Sequence, residues 1–523
     1  MIRMAIPLLA STRRDFGHSV LAGAASALLV KPSWSGQVAC TLALGAAATR
    51  QLPPDYAGFS YETMQLADPA FFAPGNGELI GLFRALSPKG VLRLGGNSSE
   101  FCWWRTRPDQ PQPPDPSSAG NANNWMPHTM TAIEPTAVDS LAGFLAATGW
   151  KAIYGLNLGT GTPERAAEES AYVAHALGAK LLYFQIGNEP EYYRDANNGL
   201  RASDWNFDKY LVQWSAMARV VVARVPEARF GGPDVGSNAQ WVVRFAQEAP
   251  KLFPGRIVAA TGHYYAEGPP DNPSVTVARL LATDPRVDRD LAAIAAATDA
   301  AGIEYRMTEG NSCYRGGKPG MSNAFCSALW SADYLLQLAA HGCVGVNLHG
   351  GGSKQIRASL GGHLPGETLD PTAADVAREG SFYTPIAGSR ESGFKARPVL
   401  YGMKLAGLLA GGRMRTGSFD AATPGVRAYA ADFGKDSTRV VLINKDDASD
   451  ALVRIASSGG ARIWRLEAPG MTATAGVTLA GSAIDAHGWK PKAEERVASR
   501  EGAVRVTVKA ASAVGMLFDR RLP

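Results

Sequence analysis

The run Leu181-Leu182-Tyr183-Phe184-Gln185-Ile186-Gly187-Asn188-Glu189-Pro190-Glu191 decides how this chain reads. Its first four residues make a short apolar stretch of the kind that forms a buried strand. Pro190 has no N–H to offer a strand ladder, so the strand pattern stops there. Glu189 is thereby placed where a strand ends and a loop begins, with the Asn188 amide beside it. A carboxyl group held at a strand tip beside an amide suits general acid–base work on a polyol. It also suits a glutamate that only caps the next turn, and Asn-Glu-Pro alone does not separate the two.

The flanking sequence repeats one pattern. Strands are predicted at 57–62, 91–97, 151–158, 181–187, 229–234, 257–265, 304–309 and 343–349, each followed by a helical pattern, the last of these at 401–409. Leu79, Leu82, Phe83 and Leu86 illustrate the helical spacing. Strands alternating with helices imply parallel pairing, and eight such units across residues 57–410 imply a (β/α)8 TIM barrel. A doubly wound open sheet would instead want a phosphate-binding glycine loop after an early strand. Gly159-Thr160-Gly161 lacks the third glycine and reads as a turn. From residue 411 the helical period disappears. Short strands at 426–431, 439–444, 451–455, 461–466, 504–509 and 514–519, with Gly, Asp and Ser between them, predict an all-β sandwich over 411–523. Residues 37–56 precede the barrel, and their strand at 38–44 is expected to join that sandwich. The segments Pro108–Pro116 and Gly350–Gly380 read as long surface loops, the second long enough to restrict a cleft.

Composition bounds the function classes. The 523 residues are 46% apolar and 19% charged, which describes a large globular protein and not a disordered one. Lys and Arg number 52 against 47 acidic residues, with no basic block, so nucleic acid is not an expected partner. The five cysteines show no Cys-x-x-Cys spacing, and no His, Asp or Cys cluster has metal-ligand spacing, so neither a disulfide framework nor a metal is predicted. Cys313 reads as packing. Arg13-Arg14 followed by the apolar run Val20–Val30 predicts a twin-arginine-type export signal over residues 1–36, against the plainer reading of a chance arginine pair before a helix. No later run reaches ~18 apolar residues, so no membrane anchor is expected. Export in the folded state would place the mature protein in the periplasm or outside a bacterial cell.

In a (β/α)8 barrel the reactive groups sit at the C-terminal ends of the strands. Those ends carry Tyr61-Glu62, Gly96-Asn97, Asn157, Asn188-Glu189, Asp234, His263-Tyr264-Tyr265, Thr308-Glu309 and Asn347-Leu348-His349. Glu189 and Glu309 end the fourth and seventh strands, which face each other across the mouth. Two carboxyl groups ~5–5.5 Å apart perform retaining glycoside hydrolysis, whereas ~6.5–9.5 Å leaves room for a water and gives inversion. The plain alternative is a pair of unrelated glutamates in salt bridges. His263 either lines the site or is a core histidine, and His349 either faces the mouth or shapes its loop. Trp103, Trp104 and Trp125 either stack on sugar faces or pack.

Asn188-Glu189-Pro190 together with Glu309 resembles the clan A glycosidases. Leu94-Gly95-Gly96-Asn97-Ser98-Ser99-Glu100-Phe101, His263-Tyr264-Tyr265 and Glu309-Gly310-Asn311-Ser312-Cys313-Tyr314-Arg315-Gly316-Gly317 resemble glycoside hydrolase family 79, the β-glucuronidases and heparanases, and the likeness covers nearly the whole mature chain. The resemblance implies a retaining β-glucuronidase without a cofactor, acting on a glucuronide or a uronic-acid-containing glycan. By it Glu189 is the acid/base, Glu309 the nucleophile, Asn188 the ligand of the sugar 2-hydroxyl, and Tyr265 the group that orients the nucleophile. Glu62, Asn97 and Tyr314 would line the sugar subsite, with Tyr383 a second candidate for the uronate. The strand ends lack a dense Lys/Arg cluster, which favours exo action over a heparanase-like endo-β-glucuronidase on a sulfated polymer. A catalytically inactive carbohydrate-binding barrel is the reading from a different class.

Overall fold

Buried strands alternating with capped amphipathic helices close into a barrel in the computed structural model, which describes residues 37–115, 129–194, 199–360, 364, 379–421, 423 and 425–523. Strand β1 (Gln37–Ala47) comes first. The barrel strands follow: β2 (Ala57–Glu62), β3 (Val91–Gly95), β4 (Lys151–Leu156), β5 (Leu181–Ile186), β6 (Phe230–Gly236), β7 (Ile257–Glu267), β8 (Glu304–Cys313) and β9 (Val346–Gly350). Neighbours in sequence pair in parallel, and β9 pairs with β2 to close the ring. All of β2 and β3 is buried, because side chains fill one face and helices cover the other.

The helices begin where the chain supplies a cap. Asn76 accepts the Leu79 N–H at the start of α1 (Gly77–Leu86). In α2 (Pro135–Thr148) a proline takes the first turn, where no N–H is needed. Thr162 caps α3 (Pro163–Leu177), Asn206 caps α4 (Phe207–Arg224) and Asn238 caps α5 (Ala239–Leu252). Asp284 caps α6 (Pro285–Ala301), which ends on the left-handed Gly302. Each such cap is worth ~1 kcal/mol. Two further helices, α7 (Phe325–Ala340) and α8 (Pro398–Ala406), lie between the barrel and the second sheet.

Beyond the barrel stand β10 (Arg413–Phe419), β11 (Val426–Phe433), β12 (Ser437–Asn444), β13 (Asp450–Ala456), β14 (Ala461–Glu467), β15 (Thr478–Leu479), β16 (Glu495–Val497), β17 (Ala503–Val508) and β18 (Ser512–Phe518). With β1 they form one curled sheet in the order β15-β14-β18-β12-β11-β10-β1-β13-β17, with β16 beside β14. Every pair is antiparallel except β1 with β13. Period-two alternation divides its apolar residues between two cores. On β12, Val440 and Leu442 join the sheet's own core with Val453, Val506 and Met516, while Val441 and Ile443 join the barrel's core. Barrel and sheet therefore form one compact unit. Asp333 of α7 fastens the seam, accepting from the Tyr429 hydroxyl at 2.7 Å and from Lys445 at 2.6 Å. All five cysteines are buried free thiols.

Strands β7 and β8 run beyond the barrel rim. Their pairing slips by one residue between Met307 and Glu309, a bulge that keeps Glu309 opposite His263 and lets the pair continue to Cys313. Glu309 thus lies inside a strand and not at the strand end that the sequence suggests. Among the described residues no helix is long and apolar enough to cross a membrane. The Arg13-Arg14 segment and Trp125 lie outside the described residues, as do residues 361–363 and 365–378 of the Gly350–Gly380 loop.

Candidate active site

The polar centre of the barrel is built on Arg93, an arginine inside the otherwise apolar strand Val91-Leu92-Arg93-Leu94-Gly95. A Cβ on Gly95 would fall 2.1 Å from the Arg93 Cζ, so the glycine leaves the space that the guanidinium fills. That guanidinium donates to Glu309 at 2.6 Å, to the side-chain amide oxygen of Asn188 at 2.8 Å, to Gln185 at 3.1 Å, to Ser60 at 3.2 Å and to Asp234. A buried cation needs this degree of pairing to offset its desolvation.

Glu309 is buried, with its second oxygen accepting from the Tyr265 hydroxyl at 2.8 Å. Burial opposes its charge, but His349, His263 and Arg93 outweigh burial and hold the carboxyl down at about 2. Glu189 follows β5 with left-handed backbone, φ 45°, a conformation that a non-glycine residue adopts only when its surroundings impose it. Its N–H donates to the Asp234 carbonyl at 2.8 Å, and its carboxylate meets His263 Nδ1 at 3.0 Å. The other nitrogen of His263 lies 3.1 Å from Asp234. Burial disfavours a charge on this ring, but Asp234 and Glu309 push the imidazolium up to about 10, so both nitrogens carry protons at neutral pH. Behind Glu189, burial and the Glu189 charge push Glu191 well above the ordinary carboxylate range.

Donor atoms of Glu189, His263 and Glu309 all lie within 4.8 Å of one another. That spacing could hold a cation. The proton on His263 and the Arg93 guanidinium on Glu309 both oppose one there.

The other residues singled out in the sequence fall around this centre. Asn188 is buried, and its amide donates to Asn97 at 3.3 Å. The Tyr314 and Tyr383 rings flank Tyr265, with centroids 6.5 and 6.1 Å away. Glu62 is buried and accepts from the N–H and hydroxyl of Ser98 at 2.9 and 2.6 Å. Gly96, at φ 73°, makes room for that carboxylate, which a Cβ would meet at 2.4 Å. His349 does more than shape a loop: it bridges Ser60 at 2.9 Å, Glu62 at 3.4 Å and Glu309 at 3.7 Å. Asn157 is used locally, holding the Thr160 and Gly161 N–H groups. Trp103 and Trp104 are buried and pack.

Sequence reasoning missed Arg93 and Glu100, and left Asp234 as one polar strand end among several. Glu100 is fully buried and accepts the Asn188 N–H at 2.6 Å together with the Gly159 N–H, which fixes the backbone just before Glu189. Burial pushes its carboxyl up to about 7. For Arg93 the available signal was a charged residue in an apolar run, which is costly unless partnered; Glu100, after the polar Asn97-Ser98-Ser99, carried no such signal.

Residues 428–514 match the family model described as glycosyl hydrolase family 79 C-terminal beta domain. A β-glucuronidase of Aspergillus niger is 26% identical over 324 residues, 57% of this chain and 56% of that protein. A β-glucuronidase of Neurospora crassa is 25% identical over 420 residues, 75% of this chain and 69% of that protein. Among solved structures, a 4-O-α-L-rhamnosyl-β-D-glucuronidase from Fusarium oxysporum has the same fold, with a TM-score of 0.70 at 17% identity, covering 92% of this chain and all of that one. The match spans little more than half of the Aspergillus protein's length. The chain is thus similar to family 79 glycosyl hydrolases in its C-terminal sheet and to fungal β-glucuronidases over more than half its length.

Proposed function

We propose that the protein is a retaining exo-β-glucuronidase of glycoside hydrolase family 79. The observation that carries this reading is the pair of carboxylates, Glu189 and Glu309, with oxygens within 4.8 Å of each other at the barrel mouth. That is close to the separation of a retaining pair and short of the gap that an attacking water needs. The two groups are also held differently, as two roles require. Glu309 is kept ionised and aimed by Arg93 and Tyr265, which suits a nucleophile. Glu189 is the more exposed of the two and faces the imidazolium of His263.

In the first step a Glu309 oxygen attacks the anomeric carbon while Glu189 passes a proton, drawn from the His263 imidazolium 3.0 Å away, to the departing oxygen. In the second, Glu189 takes a proton from water, which displaces Glu309 and restores the anomeric configuration. Asn188, held by Arg93 and next to Asn97, would bind the 2-hydroxyl, whose hydrogen bond strengthens in the transition state. Exo action is favoured because the cations at the centre, Arg93 and the His263 imidazolium, are consumed by pairing and offer nothing to a sulfated chain. The test is to hydrolyse an aryl β-glucuronide and follow the first-formed sugar by NMR. β-Glucuronate appearing before the α anomer is expected; α-glucuronate first would mean inversion.

The uronate is the second element of the reading. Tyr314 and Tyr383 beside Tyr265 offer neutral donors to a C6 carboxylate, which avoids desolvating another cation. A phenol hydrogen bond to a charged group is worth ~1.5–3 kcal/mol. Tyr314→Phe is therefore expected to cut glucuronide kcat/KM by roughly ten- to a hundredfold, and to leave the slow reaction with the matching β-glucoside nearly unchanged. Equal slowing of both substrates would give Tyr314 a general role in place of a uronate-reading one.

We also propose export by the twin-arginine route, on the strength of Arg13-Arg14 before an apolar run. Arg13→Lys with Arg14→Lys should leave precursor in the cytoplasm of the host, and normal export of that variant would contradict the proposal.

A further inference from the structure

A second cavity, of about 830 Å³, lies between the outer side of α1 and the loop 482–492 of the C-terminal sheet. No lining residue belongs to a barrel strand, so it is separate from the site above. Its size falls in the ~300–1,000 Å³ range of ligand sites. Four cations line it, Arg84, Lys404, Lys490 and Lys492, against one carboxylate, Asp485. Among the described residues none of the four is ion-paired to a carboxylate. Like charges gathered without counter-charges repel one another, and the field they leave in a concave site attracts anions.

The walls are fixed. Tyr401 of α8 accepts the Ile484 N–H at 3.0 Å, and the Trp489 indole donates to the Leu479 carbonyl at 3.1 Å. Lys404 is half-buried, donates to the Leu86 carbonyl at 3.1 Å, and holds its amine 5.1 Å from the centre of the Trp489 ring. Burial pulls this amine down to about 8, which an arriving anion would reverse. Trp464 also packs against this ring, with centroids 5.2 Å apart, so the indole offers its exposed edge, and the cations beside it their charge, to an acidic sugar.

We propose that this cavity is a binding site for an acidic oligosaccharide, a chain whose carboxylate or sulfate groups meet Arg84, Lys404, Lys490 and Lys492 while one sugar lies against Trp489. The choice of a saccharide over other anions rests on the glycosidase reading.

The test measures binding by calorimetry in a Glu309→Gln background, which prevents turnover, and the cavity variants separate this site from the barrel mouth. The probes are a β-1,4-linked glucuronate hexamer and cellohexaose, the neutral chain of the same length and linkage. The hexamer is expected to bind at least ~10-fold more tightly than cellohexaose. Lys404→Met should weaken hexamer binding ~10-fold, and so should Lys490→Glu with Lys492→Glu, whose exposed side chains leave the fold intact. With Glu309 restored, the loop variant should keep aryl glucuronide kcat/KM. Hexamer binding unchanged in the loop variant would overturn the proposal. So would equal binding of cellohexaose, displacement of the hexamer by millimolar phosphate, or tighter binding of a dinucleotide. If the glucuronidase reading alone is wrong, aryl glucuronide turnover fails while lysine-dependent hexamer binding persists.

Discussion

Glu309→Ala is expected to lower kcat on an aryl glucuronide by at least ~10⁴-fold, because the covalent intermediate that divides the reaction into two easier steps can no longer form. The loss should be chemical and not structural. Arg93 keeps Asp234, Asn188, Gln185 and Ser60 as partners when Glu309 is gone, so the centre of the barrel is not left with an unpaired cation. Circular dichroism should therefore stay near that of the parent, while the melting temperature falls by the contribution of the ionised Glu309 that Arg93, His263 and His349 hold down. Azide reports the geometry independently. In Glu309→Ala it takes the place of the lost carboxylate and should yield an α-glucuronosyl azide. In Glu189→Ala the covalent intermediate still forms from substrates with good leaving groups, which need little protonation. Azide then arrives from the opposite face and should yield the β product. The converse pattern would exchange the two roles.

Much of this arrangement is legible in the sequence, for reasons that also explain the rest. The barrel reads because its strands are buried on both faces and its helices carry capped apolar faces, so each unit leaves its own local pattern. Glu189 reads because Pro190 marks the strand's end. Arg93 does not read, because one arginine in Val91-Leu92-Arg93-Leu94-Gly95 has no spacing partner. Its meaning lies in Gln185, Asn188, Asp234 and Glu309, each of which comes from elsewhere in the chain. The extension of β7 and β8 past His263 and Glu309 depends on a bulge between two strands, which no single strand encodes. Strand β10 is polar and glycine-containing, Arg413-Met414-Arg415-Thr416-Gly417-Ser418-Phe419, and is held in place by pairing with β1 and β11 more than by its own apolar content.

Arg93→Met is expected to be the most destabilising single change at the site, by about 3–5 kcal/mol, since removing one member of a buried ion network leaves the others charged and unpaired. Asp234 and Glu309 are the groups left, and pH separates that cause from simple loss of packing. In the parent both carboxyls are held below their unfolded values of ~3.9 and ~4.3. Their contribution is therefore complete above those values and is lost as pH falls, for Glu309 towards about 2. In the variant, burial acts on them with less to oppose it: His263 still faces Asp234, and His349 and His263 still face Glu309. Their folded values then rise towards the unfolded ones, so the stability that their ionised forms supply in the parent shrinks. The gap in unfolding free energy between parent and variant should be full at neutral pH and narrow as the pH falls below ~4, where the parent's advantage is lost. Urea titrations at about pH 7, 4 and 3 measure it. A gap of constant size across that series would mean that Arg93 fills space in the barrel and that its charge on Asp234 and Glu309 contributes nothing to the fold.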